Sequence, residues 1–180
     1  MLITTPLVTS SISHQKQPSN WALPELAPTE NCPDISGQYI GLGESIKNKT
    51  KDPLAYELFM KNHPLVKWQE VSHISIQQNG QNLLNIVAWK DNEIVYSESL
   101  SKDSNDFTCE EGWLKITRST SRSYSSSAGE ISSVSRSFTK ADGYLLEKRE
   151  RGGILLLLIL PIPGSSVEWL RFAPYEETPQ

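Results

Sequence analysis

Apolar and polar residues alternate at every second position through much of the chain beyond residue 36, and short turn sequences interrupt the alternation. Residues 71–76 show the pattern, and they lead into Asn79-Gly80, the residue pair that tight hairpin turns prefer. Because successive side chains of a strand point to opposite faces of a sheet, a period of two predicts strands with one buried face. The chain is therefore predicted to fold as a series of antiparallel β-hairpins.

The pattern divides into successive strands separated by turns. The predicted strands cover residues 71–76, 82–89, 93–100, 113–125, 131–139, 144–150, 154–160 and 167–172, with turns at 127–129, 141–143, 151–153 and 161–164. Ahead of them, Asp52 as a cap and Pro53 as the first helical residue predict one short helix that places Leu54, Leu58 and Phe59 on one face and ends by residues 63–64. The predicted fold class is all-β, either an antiparallel up-and-down barrel or a strongly curved sheet with one short helix. A two-sheet β-sandwich is the alternative.

The first thirty-one residues have no such periodicity. Serine, threonine and glutamine dominate them, and four prolines interrupt any helix or central strand. We therefore expect a disordered tail over residues 1–31, a single β-domain over 32–174 and a short C-terminal tail over 175–180. No basic segment followed by an apolar run marks a signal peptide.

The overall charge argues against nucleic acid as a partner. The formal net charge is -4 and the sequence pI is near 5.4, whereas binding to phosphates needs a basic face. Arg118, Arg122 and Arg136 lie beside or within a serine-rich stretch over residues 119–137, which we interpret as a long, solvent-facing hairpin. A weak anion or glycan contact is the alternative for this stretch.

Seven consecutive apolar residues, 154–160, form the most hydrophobic stretch of the chain. A helix that spans a bilayer needs about 20 apolar residues, and Pro161 stops this run, so no transmembrane helix is predicted. The favoured interpretation is a strand buried on both faces and covered by the helix. The alternative is an edge that contacts a membrane or a partner protein.

The sequence contains no recognisable catalytic or metal-binding arrangement. His14, His63 and His73 lack the spacing of metal ligands, and we place His73 on the polar face of a strand. Gly41 and Gly43 lack the third glycine of a dinucleotide-binding loop and are expected to relieve crowding at a strand end. Residues 110–111 are adjacent glutamates with an expected role in a turn, because neighbouring strand residues point to opposite faces. We therefore expect no enzyme, no metal and no cofactor.

The two cysteines, Cys32 and Cys109, leave three states open: a disulfide, two free thiols, or one modified cysteine beside one free thiol. A bridge between them would close a loop of nearly eighty residues and stabilise the fold by roughly 4 kcal/mol on the chain-entropy model. Two unrelated buried thiols remain the alternative.

Three segments resemble a group of small, uncharacterised lipoproteins of Gram-negative bacteria. They are Cys-Pro-Asp-Ile-Ser-Gly-Gln-Tyr at residues 32–39, Phe-Thr-Cys-Glu-Glu-Gly-Trp-Leu at residues 107–114, and the closing segment at residues 160–172. The resemblance implies a location in the cell envelope, in the periplasm or associated with the outer membrane, and it favours a disulfide between Cys32 and Cys109. It implies no activity.

A looser resemblance is to the lipocalins, whose first strand carries Gly-x-Trp and whose last region carries an arginine that packs over that tryptophan. Gly37, Tyr39 and Arg171 occupy comparable positions here. The resemblance implies that Arg171 packs over Tyr39 to close the base of a barrel, and that a barrel with an open mouth would hold a lipid or small hydrophobe.

Two functions follow as hypotheses. The first is a non-enzymatic envelope protein that binds a lipid or small hydrophobe, or supports envelope assembly through an envelope protein. The second is a protein-interaction domain that uses the serine- and arginine-rich hairpin or the leucine-rich strand.

Overall fold

A computed structural model describes residues 12–14, 16–29, 31–45, 52–59, 67–125, 128–157 and 160–176. Within these ranges it describes the backbone alone at residues 12–14, 56–57, 118–125, 128–131, 155–157 and 160–162. These ranges form an all-β structure, as the alternation predicts. Its strands are β1 (Ile12–His14), β2 (Gly37–Ile40), β3 (Leu42–Ser45), β4 (Asp52–Pro53), β5 (His73–Asn79), β6 (Leu83–Lys90), β7 (Glu93–Ser101), β8 (Thr108–Glu110), β9 (Trp113–Ser125), β10 (Ala128–Ala141), β11 (Tyr144–Leu157) and β12 (Leu160–Phe172). One helix, α1 (Leu54–Leu58), and one 3₁₀ turn, Trp68–Glu70, complete the elements of these ranges.

The strands form two antiparallel sheets. The large sheet has the order β4-β3-β12-β11-β10-β9-β8, with β1 added parallel to β12, and the small sheet has the order β2-β5-β6-β7. Among the described strands neither sheet closes on itself. A strongly curved sheet or a sandwich therefore fits the structure, and a closed barrel is not confirmed.

The two sheets join at a corner formed by β2 and β3. The chain passes from one sheet to the other at Gly41, whose amide donates to the carbonyl of Ser72 at 2.9 Å. A Cβ at Gly41 would collide with the backbone carbonyl of Val71, so the corner needs a residue without a side chain. The expectation that this glycine relieves crowding at a strand end is confirmed.

Both sheets contribute to one apolar core. Ile74 and Ile86 come from the small sheet, Phe138 and Phe172 from the large sheet, and Leu58 from α1, and all five are buried. Burial of each such side chain contributes about 1.5–3 kcal/mol, which makes this cluster the main source of stability.

The end of the large sheet differs from the predicted strand pattern. β11 continues through the predicted turn at residues 151–153, and β12 contains Pro161 and Pro163, which were expected to end a strand. β12 pairs with β3 at residues 170–171 and with β1 at residues 165–167, so its first residues form a sheet edge among the described strands. An edge strand tolerates proline because amides on its outer side need no ladder partner.

The predicted cap of the helix is also wrong. Pro53 occupies the N-cap of α1 without a side-chain hydrogen bond, and Asp52 lies in β4 with its carboxylate 3.1 Å from Nη1 of Arg149. An ion pair with a buried arginine is a stronger partner for the carboxylate than the backbone amides of a five-residue helix. Leu54, Leu58 and Phe59 are buried as expected. The helix ends at Leu58, earlier than predicted, because Phe59 already has an extended backbone conformation. Residues 60–64, where the end was expected, lie outside the described residues.

Part of the expected N-terminal tail belongs to the fold. The amide of Glu25 donates to the carbonyl of Lys140 at 2.8 Å, and the hydroxyl of Thr139 donates to the carbonyl of Glu25 at 2.7 Å. The amide of Tyr175, in the expected C-terminal tail, donates to the carbonyl of Gln38 at 2.8 Å. These segments are held by backbone hydrogen bonds, which need no hydrophobic periodicity. Residues 1–11 and 177–180 lie outside the described residues.

Candidate functional site

The cysteines form the disulfide that the lipoprotein resemblance favours. Cys32 and Cys109 are bonded, with their Cα atoms 5.0 Å apart and a separation of 77 residues in the sequence. Neither thiol is free. The bond fastens the buried Cys32, in the loop before β2, to β8 at the edge of the large sheet.

Tyr39 is buried in the core between the sheets. Its hydroxyl donates to the carbonyl of Ile35 at 3.1 Å, and its ring lies against Gly37. Burial, with smaller contributions from the charges of Asp34 and Glu25, raises the pKa of the Tyr39 phenol far above its ordinary value. The residue is a structural anchor of β2.

Arg171 does not pack over Tyr39. The aromatic partner that the lipocalin resemblance implied for this arginine is therefore wrong. The guanidinium carbon lies 4.9 Å from the ring centre of Trp21 and 5.0 Å from that of Tyr144. Its Nε donates to Glu44 at 2.8 Å. Arg171 alternates with the core residue Leu170 and therefore points to the opposite face of β12, where it holds the segment around Trp21.

Two open clefts lie at this end of the molecule, beside Lys140. One, of about 370 Å³, is lined by residues 36–39, Lys140, Gly143 and residues 174–175. The other, of about 330 Å³, is lined by residues 25–27, residues 32–34 and Lys140. Both combine backbone groups with charged or polar side chains. Neither has the apolar enclosure that a lipid inside a barrel would need.

A belt of charged side chains crosses the inner face of the large sheet at the opposite end of the core. Arg149 is buried, and its Nε donates to the buried carboxylate of Glu147 at 2.9 Å. Its Nη1 lies 3.1 Å from Asp52 and 3.5 Å from Glu168. The buried Arg136 lies 3.7 Å from Glu147, so the belt contains two arginines and three carboxylates.

The belt marks the boundary of the core. Burial of a charge is tolerated where opposite charges and hydrogen bonds replace water, and these residues provide both for each other. Glu147 and Arg149 lie in phase with the core residue Leu145 on β11, and this alternation is the sequence signal that could have revealed them. Arg136, assigned to the solvent-facing hairpin, is instead a member of this belt.

Beyond the belt, four strands extend past the core. We call this part the blade and define it as residues 117–125, 128–135, 150–157 and 160–166 of β9, β10, β11 and β12. None of the blade side chains that the structure describes is buried. Segments of seven to nine residues at about 3.3 Å per residue give the blade a length of about 25–30 Å.

The leucine-rich run forms the far end of the blade as a hairpin. Leu157 pairs with Leu160, Leu156 with Pro161 and Leu155 with Ile162 in the antiparallel ladder of β11 and β12. Ile154, the first residue of the run, is 43% exposed. The expectation of a single strand is therefore wrong, because β11 ends at Leu157 and β12 begins at Leu160. The expected burial of residues 155–160 lies outside what the structure describes.

The serine-rich stretch forms the neighbouring hairpin of the blade, β9–β10, as predicted. The hydroxyls of Thr117 and Ser135 lie 3.3 Å apart on adjacent strands, and both residues contact solvent. The part of the hairpin nearest the core is not polar, since Phe138 of β10 is buried in the core.

The remaining candidates for chemistry are structural. His73 is buried rather than on a polar face, and its ring stacks on Tyr175 at 4.0 Å and Trp89 at 5.6 Å. Residues 111–112 form the turn between β8 and β9, as predicted, and Lys115 lowers the pKa of the adjacent Glu110 carboxyl. Within the described residues, no group of three or more histidine, cysteine or acidic side chains is placed to hold a metal ion. His63 lies outside those residues.

Comparisons with known proteins give no match. No protein-family model, no curated protein and no solved structure is significantly similar to this chain.

Proposed function

We propose that this chain is a non-enzymatic protein of the bacterial cell envelope, in the periplasm or associated with the outer membrane, that attaches to a lipid surface through the leucine-rich hairpin of the blade. The observation that carries the proposal is the position of this hairpin at the far end of a sheet that has left the core. The disulfide agrees with an oxidising compartment such as the periplasm.

The composition of the hairpin favours lipid over a protein groove. Its apolar residues are consecutive in the sequence, and successive positions of a strand alternate between the two faces of a sheet. A groove on a protein covers one face, whereas the interface of a lipid layer surrounds an inserted tip. Each large aliphatic side chain that leaves water contributes about 1.5–3 kcal/mol to such attachment.

This attachment differs from enclosure of a lipid in a closed barrel. The sheets are open among the described strands, and the two clefts beside Lys140 are open to solvent rather than enclosed. None of the helices in the described ranges has the length and apolar character to cross a membrane. Contact through a hairpin tip needs neither a cavity nor a spanning helix.

Flotation with vesicles of phosphatidylethanolamine and phosphatidylglycerol tests the proposal. We expect the wild-type protein to float with the vesicles and Leu157→Asp to lose at least tenfold in bound fraction, because a charge at the tip must be desolvated on insertion. Ser97→Asp, at an exposed position of β7 in the small sheet, is the matched control and should float like the wild type.

Circular dichroism and the intact disulfide verify that each variant is folded. If Leu157→Asp does not fold, the milder Leu156→Gln takes its place. A wild-type protein that stays with the soluble fraction, or a folded tip variant that floats as well as the wild type, would contradict lipid attachment.

A protein-interaction domain is the second candidate function. The observation that favours it is the open edge of the serine- and arginine-rich hairpin, where β9 has no neighbour over most of its length among the described strands.

A further inference from the structure

Among the side chains that the structure describes, Arg151 is the exposed cation nearest along the chain to the leucine-rich hairpin. It lies in β11, two residues beyond the buried Arg149 of the belt and three residues before Ile154. Its side chain is exposed, whereas both arginines of the belt are buried. Arg151 therefore carries a positive charge of the blade that a ligand outside the protein can reach.

No carboxylate of the described residues neutralises this guanidinium. The adjacent Glu150 points to the opposite face of β11, and its carboxylate pairs with Lys148 at 2.7 Å. On the face that Arg151 shares with the belt, the carboxylate of Glu168 lies 3.5 Å from Arg149. The nearby acids are thus held by other cations, and the charge of Arg151 is left for an external anion.

The flanking strands place uncharged residues beside Arg151. It pairs with Val134 of β10 and with Ser166 of β12. Directly opposite residues of an antiparallel pair have their side chains on the same face, with Cβ atoms about 4.5–5.5 Å apart. The hydroxyl of Ser166 is therefore placed to donate to the same anion as the guanidinium.

The surface next to this pair is low. Gly152 and Gly153 follow Arg151, and Gly164 lies opposite Gly153 on β12. A Cβ added at Gly164 would meet no atom within 4 Å, and one added at Gly152 would meet only the hydroxyl of Ser133 at 3.8 Å. A bulky polar group can therefore approach the guanidinium without displacing protein atoms.

The distance from Arg151 to the leucine-rich hairpin matches the depth of a lipid headgroup layer. Arg151 precedes Ile154 by three residues, which is about 10 Å along a strand. The headgroups add about 5–7 Å on each side of the hydrocarbon core, and the long side chain of arginine can reach toward them. When Ile154 lies at the hydrocarbon boundary, the guanidinium is at the level of the lipid phosphates.

We propose that Arg151, with Ser166 beside it, binds the phosphate group of an anionic phospholipid when the leucine-rich hairpin enters a membrane. This inference rests on the proposed lipid attachment and names the class of lipid that the attachment prefers. A guanidinium binds phosphate oxygens through parallel hydrogen bonds, which makes arginine well suited to this group. Since the net charge of the chain is -4, the preference for anionic lipid comes from this local charge and not from the whole molecule.

Flotation with two kinds of vesicle tests the site. One kind contains phosphatidylethanolamine and phosphatidylglycerol, and the other contains phosphatidylethanolamine and phosphatidylcholine at the same molar ratio, both in about 100 mM salt. We expect the wild type to bind the anionic vesicles about fivefold more tightly, the change expected for one basic residue at an anionic surface. Arg151→Gln should bind both kinds alike, and Arg151→Lys should keep the preference because it keeps the charge.

Lys102→Gln is the matched control for the loss of one positive charge. Lys102 lies at the disulfide end of the fold, where its amide donates to the carbonyl of Asn82 at 2.9 Å and the neighbouring Gln81 accepts from the amide of Cys32. The side-chain change leaves that backbone bond in place, so the variant should prefer anionic vesicles as the wild type does. Circular dichroism verifies that each variant is folded.

The outcomes separate this inference from lipid attachment itself. Equal binding of the wild type to both kinds of vesicle, a preference that survives in Arg151→Gln, or one that is lost equally in Lys102→Gln would overturn the inference alone. A wild type that floats with neither kind would overturn both. Sodium phosphate should release no more protein from the anionic vesicles than sodium chloride of the same ionic strength, and a greater release would show a site for free phosphate instead of a headgroup.

Discussion

At the residue scale, the buried charges of the large sheet determine where the core ends. Arg149 sits between Glu147 on its own strand and Asp52 on β4, so one guanidinium connects the middle of the sheet to its edge. Such a cluster contributes little net stability when complete, but loss of one member leaves a buried charge without compensation.

Glu147→Gln should therefore destabilise the protein strongly. The change removes the carboxylate charge between Arg136 and Arg149, and we expect the free energy of unfolding to fall by about 3–5 kcal/mol. Urea denaturation measures the change. Glu70→Gln is the control with the same chemistry, because Glu70 pairs with Lys90 at the surface and its loss should leave the urea midpoint nearly unchanged. Equal effects of the two substitutions would contradict the account of the belt.

Tyr39 makes stability sensitive to alkaline pH. The pKa of its phenol is raised in the folded state, whereas in the unfolded chain it ionises near the ordinary tyrosine pKa of about 10. Above about pH 10 the unfolded state therefore binds fewer protons than the folded state, and the free energy of unfolding falls as pH rises.

Tyr39→Phe should remove this part of the pH dependence. The variant loses the hydrogen bond to Ile35, at a cost of about 1 kcal/mol at neutral pH. Its stability should then decline less between pH 9 and pH 11 than that of the wild type, as followed by urea denaturation at each pH. Parallel curves for the two proteins would show that Tyr39 is not the responsible group.

At the scale of elements, local sequence predicted the strands well and their ends poorly. The alternation located β9 from residue 113 to residue 125 and the turn before β11, because both depend on neighbouring residues. The path of β11 through Gly152 and the place of Pro161 within β12 depend instead on which strands lie beside them. For the same reason the alternation predicts one strand over the leucine-rich run, since no local pattern shows that the run is divided between β11 and β12.

A band of small residues separates the belt from the leucine-rich hairpin. Gly152 lies in register with Ser133 of β10 and Ser165 of β12, and Ser133 lies opposite Ser119 of β9. Glycine inside a strand lowers its stability by about 0.5–1 kcal/mol relative to alanine. Gly152 therefore makes the blade less stable at this band than elsewhere.

Gly152→Ala should stiffen the blade. An added Cβ would meet the hydroxyl oxygen of Ser133 at 3.8 Å, an ordinary contact distance. We expect amide hydrogen exchange in residues 150–157 to slow by roughly two- to fivefold, which corresponds to the cost of glycine in a strand. Hydrogen exchange with mass spectrometry measures the change, and faster exchange in the variant would contradict the account of the band.

At the scale of the whole molecule, the two ends of the fold have different roles. At one end, the disulfide, the contact of Arg171 with Trp21 and the pairing of Tyr175 with β2 fasten the terminal segments to the sheets. At the other end, the blade leaves the core and carries the most hydrophobic segment of the chain. The sequence resemblance predicted the disulfide. The contacts of Arg171 could not be predicted in the same way, because they depend on the path of the terminal segments, whose sequences contain no hydrophobic periodicity.

The central claim is that the leucine-rich hairpin is the part of the molecule that enters a lipid surface. Hydrogen exchange with mass spectrometry, with and without vesicles of phosphatidylethanolamine and phosphatidylglycerol, tests it most directly. We expect vesicles to protect residues 153–163 and to leave β5 and β6 unchanged. Protection that is absent from the hairpin, or that falls mainly on the small sheet, would contradict the claim.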